Sequence, residues 1–397
     1  MGQEKPRPQW LWIIAALTGG LAITGSLLVI LLAFIIPRVK DTVLAVILIG
    51  VGLVGLLLGM GLLITGITGR KQWTSPQIYA KWGWAIWLAL LVGFVTIALL
   101  TPAEWHNRPI LAPLHLGLAA FPAFLLLSLM TLTAGRYRTL TLRELIATMS
   151  GGAAATFLAI PVEIVGFIIC AILVGFVTLL LPGGEAEISQ LMATLEQWSI
   201  APPTGIEETL SQIASPVIIG VIALTFTVVA PLIEEFVKTL VMGIMGIWRR
   251  PGLTTAFLWG AACGLGFTVI EGISNGAGSL GEVMGWLGGM GARAAATSMH
   301  MLTGGIVGLG WGFFWRKRRW ALPLAYIAAI LFHGLWNLNA VAAIGGAAIG
   351  ASASPVGFVI ALAGMGLMFI LALCAPLALL SIPVLLRAHE TELARAD

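Results

Sequence analysis

Charged residues are scarce in this chain of 397 residues, where they make up only 10%, whereas 59% of the residues are hydrophobic. The mean hydropathy is +1.02. A soluble globular domain carries roughly 25% charged residues, so this composition excludes a water-soluble protein. Apolar runs of about 20 residues, the length that a helix needs to cross a bilayer, recur along the chain. We therefore predict an all-α polytopic integral membrane protein with about ten transmembrane helices.

Cysteine is also rare, with Cys170, Cys263 and Cys374 each standing alone in an apolar run and no C-x-x-C pair. Isolated cysteines in such runs commonly pack as small hydrophobic side chains. We expect neither disulfides nor a cysteine metal site. The net charge of +4 does not point to nucleic acid as a partner, because the basic residues follow the predicted topology.

Clusters of charge and proline divide the apolar sequence into ten predicted spans. These are 10–36, 42–67, 83–101, 109–134, 148–182, 215–247, 253–276, 284–315, 321–341 and 355–386. With the N-terminus inside, most of the 21 Lys and Arg residues fall in the inside segments, as the positive-inside rule requires. We expect a cell-membrane protein with both termini in the cytoplasm, in contact with the lipid bilayer.

Four regions follow from these spans. They are an N-terminal four-helix region of unknown role (1–147), a fifth helix with an acidic outside loop (148–214), a polar-residue core (215–345), and a last helix with a cytoplasmic tail (346–397). The spacing of apolar residues in the acidic loop predicts a short amphipathic helix on the outer membrane face. His115 is the one ionisable side chain within the first four spans, and we expect an interior hydrogen-bonded histidine.

Four polar motifs stand in four consecutive spans of the core. They are Glu234-Glu235-x-x-Lys238, Gly266-Phe267-x-x-x-Glu271, the lone His300, and His333-x-x-x-Asn337. An ionised side chain at the bilayer centre costs at least about 2.5 kcal/mol, so it is retained when it is buried, paired or used. Counted at 1.5 Å per residue, Glu235, Glu271, His300 and His333 lie roughly 18–27 Å from the cytoplasmic helix ends. We expect these side chains to meet at one level, beside a helix that Pro231 disrupts.

This set of side chains suits hydrolysis in two ways. Carboxylates and two imidazoles can bind Zn²⁺, which keeps an open position for water in catalytic sites; the expected ligands are Glu235, Glu271, His300 and His333. A further carboxylate would act as general base, and Lys238 would hold the ion-pair network together. Without metal, a Glu–His pair would activate water while His333 and Asn337 donate to the oxyanion. Both routes give peptide-bond hydrolysis, and no H-E-x-x-H motif is present.

The order of these motifs over residues 210–345 resembles the PrsW family of bacterial membrane proteases, which is usually classed as metallopeptidase-like. The resemblance implies that Glu234 and Glu235 are essential carboxylates with Lys238 as partner. It implies that Glu271 is the second-motif acid, with the imidazoles of His300 and His333 and the amide of Asn337 beside it. A zinc cofactor and a membrane-anchored protein substrate, such as an anti-sigma factor, are implied likewise. The distantly related CAAX-processing proteases carry a histidine where this chain has Glu271, which argues against prenyl-protein processing.

Two other interpretations use the same sequence. Gly272-Ile-Ser274-Asn-Gly276 matches the G-x-S-x-G pattern of serine nucleophiles, but that pattern needs a strand-turn-helix context. A rhomboid-like serine protease would also place its histidine helix before the serine, whereas His333 follows Ser274. Alternatively, the Glu/His/Lys cluster could serve a proton- or ion-coupled transporter or a non-catalytic scaffold. No paired halves with interrupted helices support a transporter.

Overall fold

The computed structural model describes residues 9–35, 42–68, 77–102, 105, 111–135, 140–200, 215–278, 280, 283–351 and 354–396. Regular structure in these residues is helical throughout. The helices are α1 (Gln9–Ile35), α2 (Thr42–Thr68), α3 (Gln77–Leu100), α4 (Ala112–Thr133), α5 (Leu142–Leu179), α6 (Gly184–Ile200), α7 (Pro216–Leu224), a π-helical segment (Thr225–Val229), α8 (Ala230–Lys238), α9 (Leu240–Trp248), α10 (Leu253–Ala277), α11 (Val283–Trp315), α12 (Ala321–Ala351) and α13 (Pro355–Ala396).

The predicted membrane class is confirmed. Within the described residues, nine stretches are long and apolar enough to cross a membrane, and all nine coincide with predicted spans. The remaining predicted span, 284–315, is the glycine-rich helix α11, which is not among the nine. Basic residues such as Arg70 and Arg138 lie outside the described residues, so the orientation stays a prediction.

Several predicted boundaries are wrong, and the start of α5 has a clear cause. This helix begins at Leu142 instead of 148, because Thr141 and Glu144 form a capping box. The Thr141 N–H donates to Glu144 Oε2 at 3.1 Å, and the Glu144 N–H donates to Thr141 Oγ1 at 3.3 Å. Glu144 also pairs with Arg249. At the other end of the chain, α13 continues to Ala396, through much of the predicted tail.

The acidic segment does contain the predicted short helix, which is α6. The rest of that predicted loop, 201–214, lies outside the described residues. The sixth predicted span is not one helix. It is interrupted by the π-helical segment and again by a turn at Thr239, between α8 and α9.

The chain packs as two compact units. The first comprises Met1–Thr156, Val237–Ile327 and Ala375–Asp397, and the second comprises Phe157–Phe236 and Ala328–Cys374. The unit boundaries fall within α5, α8, α12 and α13.

In the first unit, α10 is the central helix, and its most apolar stretch is completely buried. It packs directly against α11 because glycines let the two backbones approach. A Cβ atom added at Gly260 would clash with the Gly304 carbonyl, and one at Gly264 would clash with the His300 carbonyl. The G-x-x-x-G spacings Gly260/Gly264 and Gly304/Gly308 are typical of such close packing. The same contact fixes the backbone of His300 against α10.

In the second unit, α12 contacts the π-helical segment and α13. A Cβ atom on Gly334 would clash with the carbonyl oxygen of Thr227. Gly346 and Gly364 make equally close backbone contacts between α12 and α13. The lipid-length helices of this unit also expose many large apolar side chains, among them Phe157 and Leu180. Such exposure suits a surface that faces lipid, where apolar side chains need no further burial.

We predict that Gly264→Ala lowers the free energy of unfolding by about 1–3 kcal/mol, the usual cost of overpacking. The added methyl group would meet the backbone of α11, which cannot move aside as a flexible side chain would. Thermal unfolding of the purified protein in detergent measures the effect. Gly288→Ala is the matched control in α11, since nothing lies within 4 Å of its added Cβ; equal losses in both variants would contradict the prediction.

Candidate active site

The helix that carries Glu234 and Glu235 follows a break in regular α-helical hydrogen bonding. Pro231 has no N–H, so the Thr227 carbonyl receives no α-helical bond from it. The Ala230 N–H donates to the carbonyl of Thr225, five residues back, which leaves the Phe226 carbonyl without its regular partner. π-helical segments of this kind are frequent at functional sites. The predicted disruption near Pro231 is confirmed, and it lies immediately before α8.

Asn337 of α12 compensates for this break. Its Nδ2 donates to the Phe226 carbonyl oxygen at 2.8 Å. Gly334, one turn earlier in α12, allows the close approach to Thr227 described above. In the structure, therefore, Asn337 holds α12 against the irregular backbone, and its predicted role as an oxyanion donor stays a prediction.

His333 lies between the two adjacent carboxylates of α8. Its Nδ1 is 2.8 Å from Glu235 Oε1, and its Nε2 is 3.9 Å from Glu234 Oε2. All three side chains are buried, with exposures of 1% for His333, 0% for Glu235 and 7% for Glu234. An ionised carboxylate only accepts hydrogen bonds, so with Glu235 ionised the proton of His333 lies on Nδ1. The Nε2 lone pair then faces the side of Glu234, as in carboxylate–histidine pairs that orient a ligand or a base.

His300 is held by two partners within the first unit. Its Nε2 is 2.7 Å from Glu271 Oε2, and its Nδ1 is 3.1 Å from Lys238 Nζ. An ammonium group only donates, so Nδ1 accepts from the Lys238 ammonium, and Nε2 lies at ion-pair distance from Glu271. Lys238, His300 and Glu271 therefore lie in a row, with the imidazole between the ammonium group and the carboxylate. The predicted meeting of Glu271 with His300 is thus confirmed within this unit.

Lys238 is fully buried, at 0% exposure, and its surroundings show how that is tolerated. Besides the imidazole of His300, the ring of Phe267 lies beneath it, with Nζ 4.6 Å from the ring centroid. The face of an aromatic ring attracts a cation. Phe267 also contacts His300, with ring centroids 5.4 Å apart. The aromatic residue of the G-F-x-x-x-E motif therefore packs against both members of the Lys238–His300 pair.

Arg293 and Asn275, to which the sequence motifs assigned no role, hold the carboxylate of Glu271. Arg293 Nη2 is 2.6 Å from Glu271 Oε2, and Asn275 Nδ2 donates to Glu271 Oε1 at 3.0 Å. Helical spacing could have found both residues. Arg293 precedes His300 by seven residues, which is two turns of one helix face, and Asn275 follows Glu271 by four.

Two other residues of the sequence analysis have ordinary surroundings. His115 is buried, with Nε2 2.9 Å from the Ile273 carbonyl and Nδ1 accepting from Trp286 Nε1 at 3.0 Å. The expected interior histidine is confirmed. Ser274 lies inside α10, where its hydroxyl donates to the Ile270 carbonyl of the same helix. This position does not provide the strand-turn-helix context of a serine nucleophile.

The predicted site residues thus form two clusters. The first unit brings together Lys238, Glu271 and His300, and the second brings together Glu234, Glu235 and His333, with Asn337 on the same helix. The four-residue metal set of the sequence analysis takes members from both clusters, so as a set it stays a prediction.

A family model described as "PrsW family intramembrane metalloprotease" matches residues 145–371. The match covers more than half of the chain and contains every predicted site residue. It extends further in both directions than the motif-bearing stretch 210–345. No curated protein and no solved structure matches the chain.

We predict that Asn337→Leu destabilises the protein by about 1 kcal/mol, the net worth of one hydrogen bond, because the Phe226 carbonyl loses its donor. The thermal unfolding midpoint reports the loss. Asn339→Leu is the control on the same helix, since the Asn339 amide donates only to Leu335 of its own helix. A loss at Asn339 as large as that at Asn337 would show that the π-helical segment does not depend on this amide.

Proposed function

The chain belongs to the PrsW family of intramembrane metalloproteases, and on this premise we propose that it hydrolyses a peptide bond of a membrane-anchored protein at its Glu/His clusters. One observation carries the proposal. The buried imidazole of His333 is oriented by Glu235 at Nδ1 and faces Glu234 at Nε2. Buried carboxylate–imidazole pairs are the usual means by which enzymes activate water. An anti-sigma-factor-like protein fits the proposed substrate class.

Chain connectivity supports the proposal that both clusters serve one reaction. Glu234, Glu235 and Lys238 all lie in α8, and three residues of helix correspond to about 4.5 Å of rise. One turn of α8 therefore carries residues of both clusters. In this division of roles, Glu234 and His333 act on the attacking water. The imidazole of His300, 2.7 Å from Glu271 at Nε2, would supply a proton to the leaving amine.

The second-unit cluster also fits a metal ion. Zinc binds imidazole and carboxylate ligands at about 2.0–2.2 Å, so one ion can reach both atoms of the Glu234–His333 pair across 3.9 Å. A bound zinc ion would supply an activated water and polarise the scissile carbonyl. We propose Glu234 and His333 as ligands, with Glu235 orienting His333 instead of binding the metal as the sequence analysis expected.

His300 and Glu271, the other two ligands expected from the sequence, belong to the first-unit cluster, and their part in metal binding stays a prediction. Both nitrogens of His300 have protein partners, Lys238 and Glu271, so ligation would replace one of those contacts. Without metal, Glu234 and His333 would activate the water, with Glu235 orienting His333. The two mechanisms use the same side chains and differ in whether activity requires an ion.

We predict that Glu235→Gln lowers the rate of cleavage of a membrane-anchored peptide in liposomes by about 100-fold or more. This is the rate acceleration that a general acid–base group typically contributes. Glutamine keeps the shape and can still accept from His333 Nδ1, so folding should be unchanged. Two variants serve as controls: Glu185→Gln removes an exposed carboxylate from α6, and Ser274→Ala removes the only hydroxyl of the G-x-S-x-G match. Both control variants should retain activity. A Glu235→Gln enzyme with wild-type activity would contradict the proposal.

We predict that the purified protein contains zinc and that chelation abolishes cleavage, which added zinc restores. His333→Ala should lose the metal, because it removes the one imidazole whose Nε2 faces Glu234. Glu235→Gln should weaken metal binding by about 10–100-fold, as expected for a group that orients a ligand. Elemental analysis of each variant measures this directly, with Ser274→Ala as the metal-retaining control. A metal-free, chelator-resistant and active wild type would establish the glutamate mechanism instead.

A further inference from the structure

The turn that follows α11 has an unusual backbone. Lys317 has φ +68°, a left-handed conformation that glycine usually adopts at helix ends. The Lys317 N–H donates to the Phe314 carbonyl at 3.0 Å, and the Arg318 N–H donates to the Phe313 carbonyl at 3.1 Å. These two bonds form a Schellman motif. A strained position of this kind persists only where the surroundings require it, and here it determines where the next side chain lies.

That side chain is Arg318, which lies against an apolar groove. Its guanidinium carbon is 5.8 Å from the centroid of the Phe313 ring. The groove has a volume of about 320 Å³ and is lined mainly by apolar side chains of α11 and the start of α12, including Leu309 and Leu324. Trp320 also lines the groove and is 65% exposed. Arg318 is the one charged residue of this wall within the described part of the chain.

The charges around the groove have one sign. Residues 316–319 read Arg-Lys-Arg-Arg, and Arg318 has no carboxylate partner in the described residues. Basic and tryptophan side chains together are typical of the headgroup level of a membrane. The groove also lies at the N-terminus of α12, where the helix dipole favours negative charge. An apolar channel beside an unneutralised guanidinium fits a ligand with a hydrocarbon chain and an anionic head.

We propose that this groove binds an anionic phospholipid, with one acyl chain along the apolar wall and the phosphate on Arg318. The site lies within the first unit and uses none of the residues assigned to hydrolysis. The proposed ligand is distinguished from bulk membrane lipid by its negative charge. A zwitterionic lipid could place its acyl chain in the apolar groove equally well, but its headgroup would be attracted less by the basic turn. The proposal is independent of the proposed peptidase activity.

Native mass spectrometry of the full chain in detergent tests the proposal, with phosphatidylglycerol and phosphatidylcholine of identical acyl chains as probes. We expect the wild type to retain phosphatidylglycerol preferentially. Arg318→Gln should weaken the retention of phosphatidylglycerol about fivefold. This factor corresponds to the attraction that one basic residue contributes at an anionic surface. Arg319→Gln removes the same charge from the same turn but not from the groove wall, so it should weaken the retention clearly less than Arg318→Gln does. Ala325→Phe, which fills the groove, should lose the bound lipid.

Three results would overturn the proposal. Equal weakening by Arg318→Gln and Arg319→Gln would mean that only the overall charge of the turn matters. Equal retention of phosphatidylcholine would remove the requirement for an anionic head. Displacement of the lipid by soluble glycerol phosphate would assign the turn to a free phosphate compound instead. The thermal unfolding midpoint of each variant, unchanged from the wild type, ensures that a lost lipid reports the groove and not a misfolded chain.

Discussion

A buried charge persists in an apolar medium only where the protein replaces the hydrogen bonds that water would make, and both units are organised around that requirement. Glu235 has the imidazole of His333. Lys238, which is fully buried, has the imidazole of His300 and the ring of Phe267. Each partner comes from a different helix, so satisfying the charges also fixes how the helices pack. The polar clusters are therefore part of the architecture as well as candidates for chemistry.

The same requirement extends to the backbone. A proline in a membrane helix leaves a carbonyl that must be satisfied within the protein. Here the π-helical hydrogen bonding makes Phe226 the residue whose carbonyl lacks a partner within its own helix. The amide of Asn337 donates a hydrogen bond to that carbonyl. Because Asn337 follows His333 by one turn, the repair and the candidate active site lie on one helix. The irregular backbone thus helps set the position of His333 relative to Glu235.

The membrane class, the helical spans and the residues of the two clusters could be predicted, because hydropathy and the cost of intramembrane charge act along the sequence. Arg293 could have been added from its seven-residue spacing to His300. The different roles of Glu234 and Glu235 could not be predicted, because the sequence does not show which of the two adjacent carboxylates faces Nδ1 of His333 and which faces Nε2. The π-helical segment could not be predicted either. The left-handed backbone at Lys317 was equally unpredictable, because residues 316–319 contain no glycine, the residue that usually marks such a position.

Burial of α10 on every side has a consequence for assembly. Its mean hydropathy is 1.6, against 2.8 for the lipid-length helix α2, and it carries Glu271 with several glycines. A helix of this kind gains little from contact with lipid and depends on packing with its neighbours. Its stable surroundings exist only once α5 and α11 have closed around it. The carboxylate of Glu271 has Asn275 of its own helix as a partner, whereas its pair with His300 forms only when α11 packs against α10.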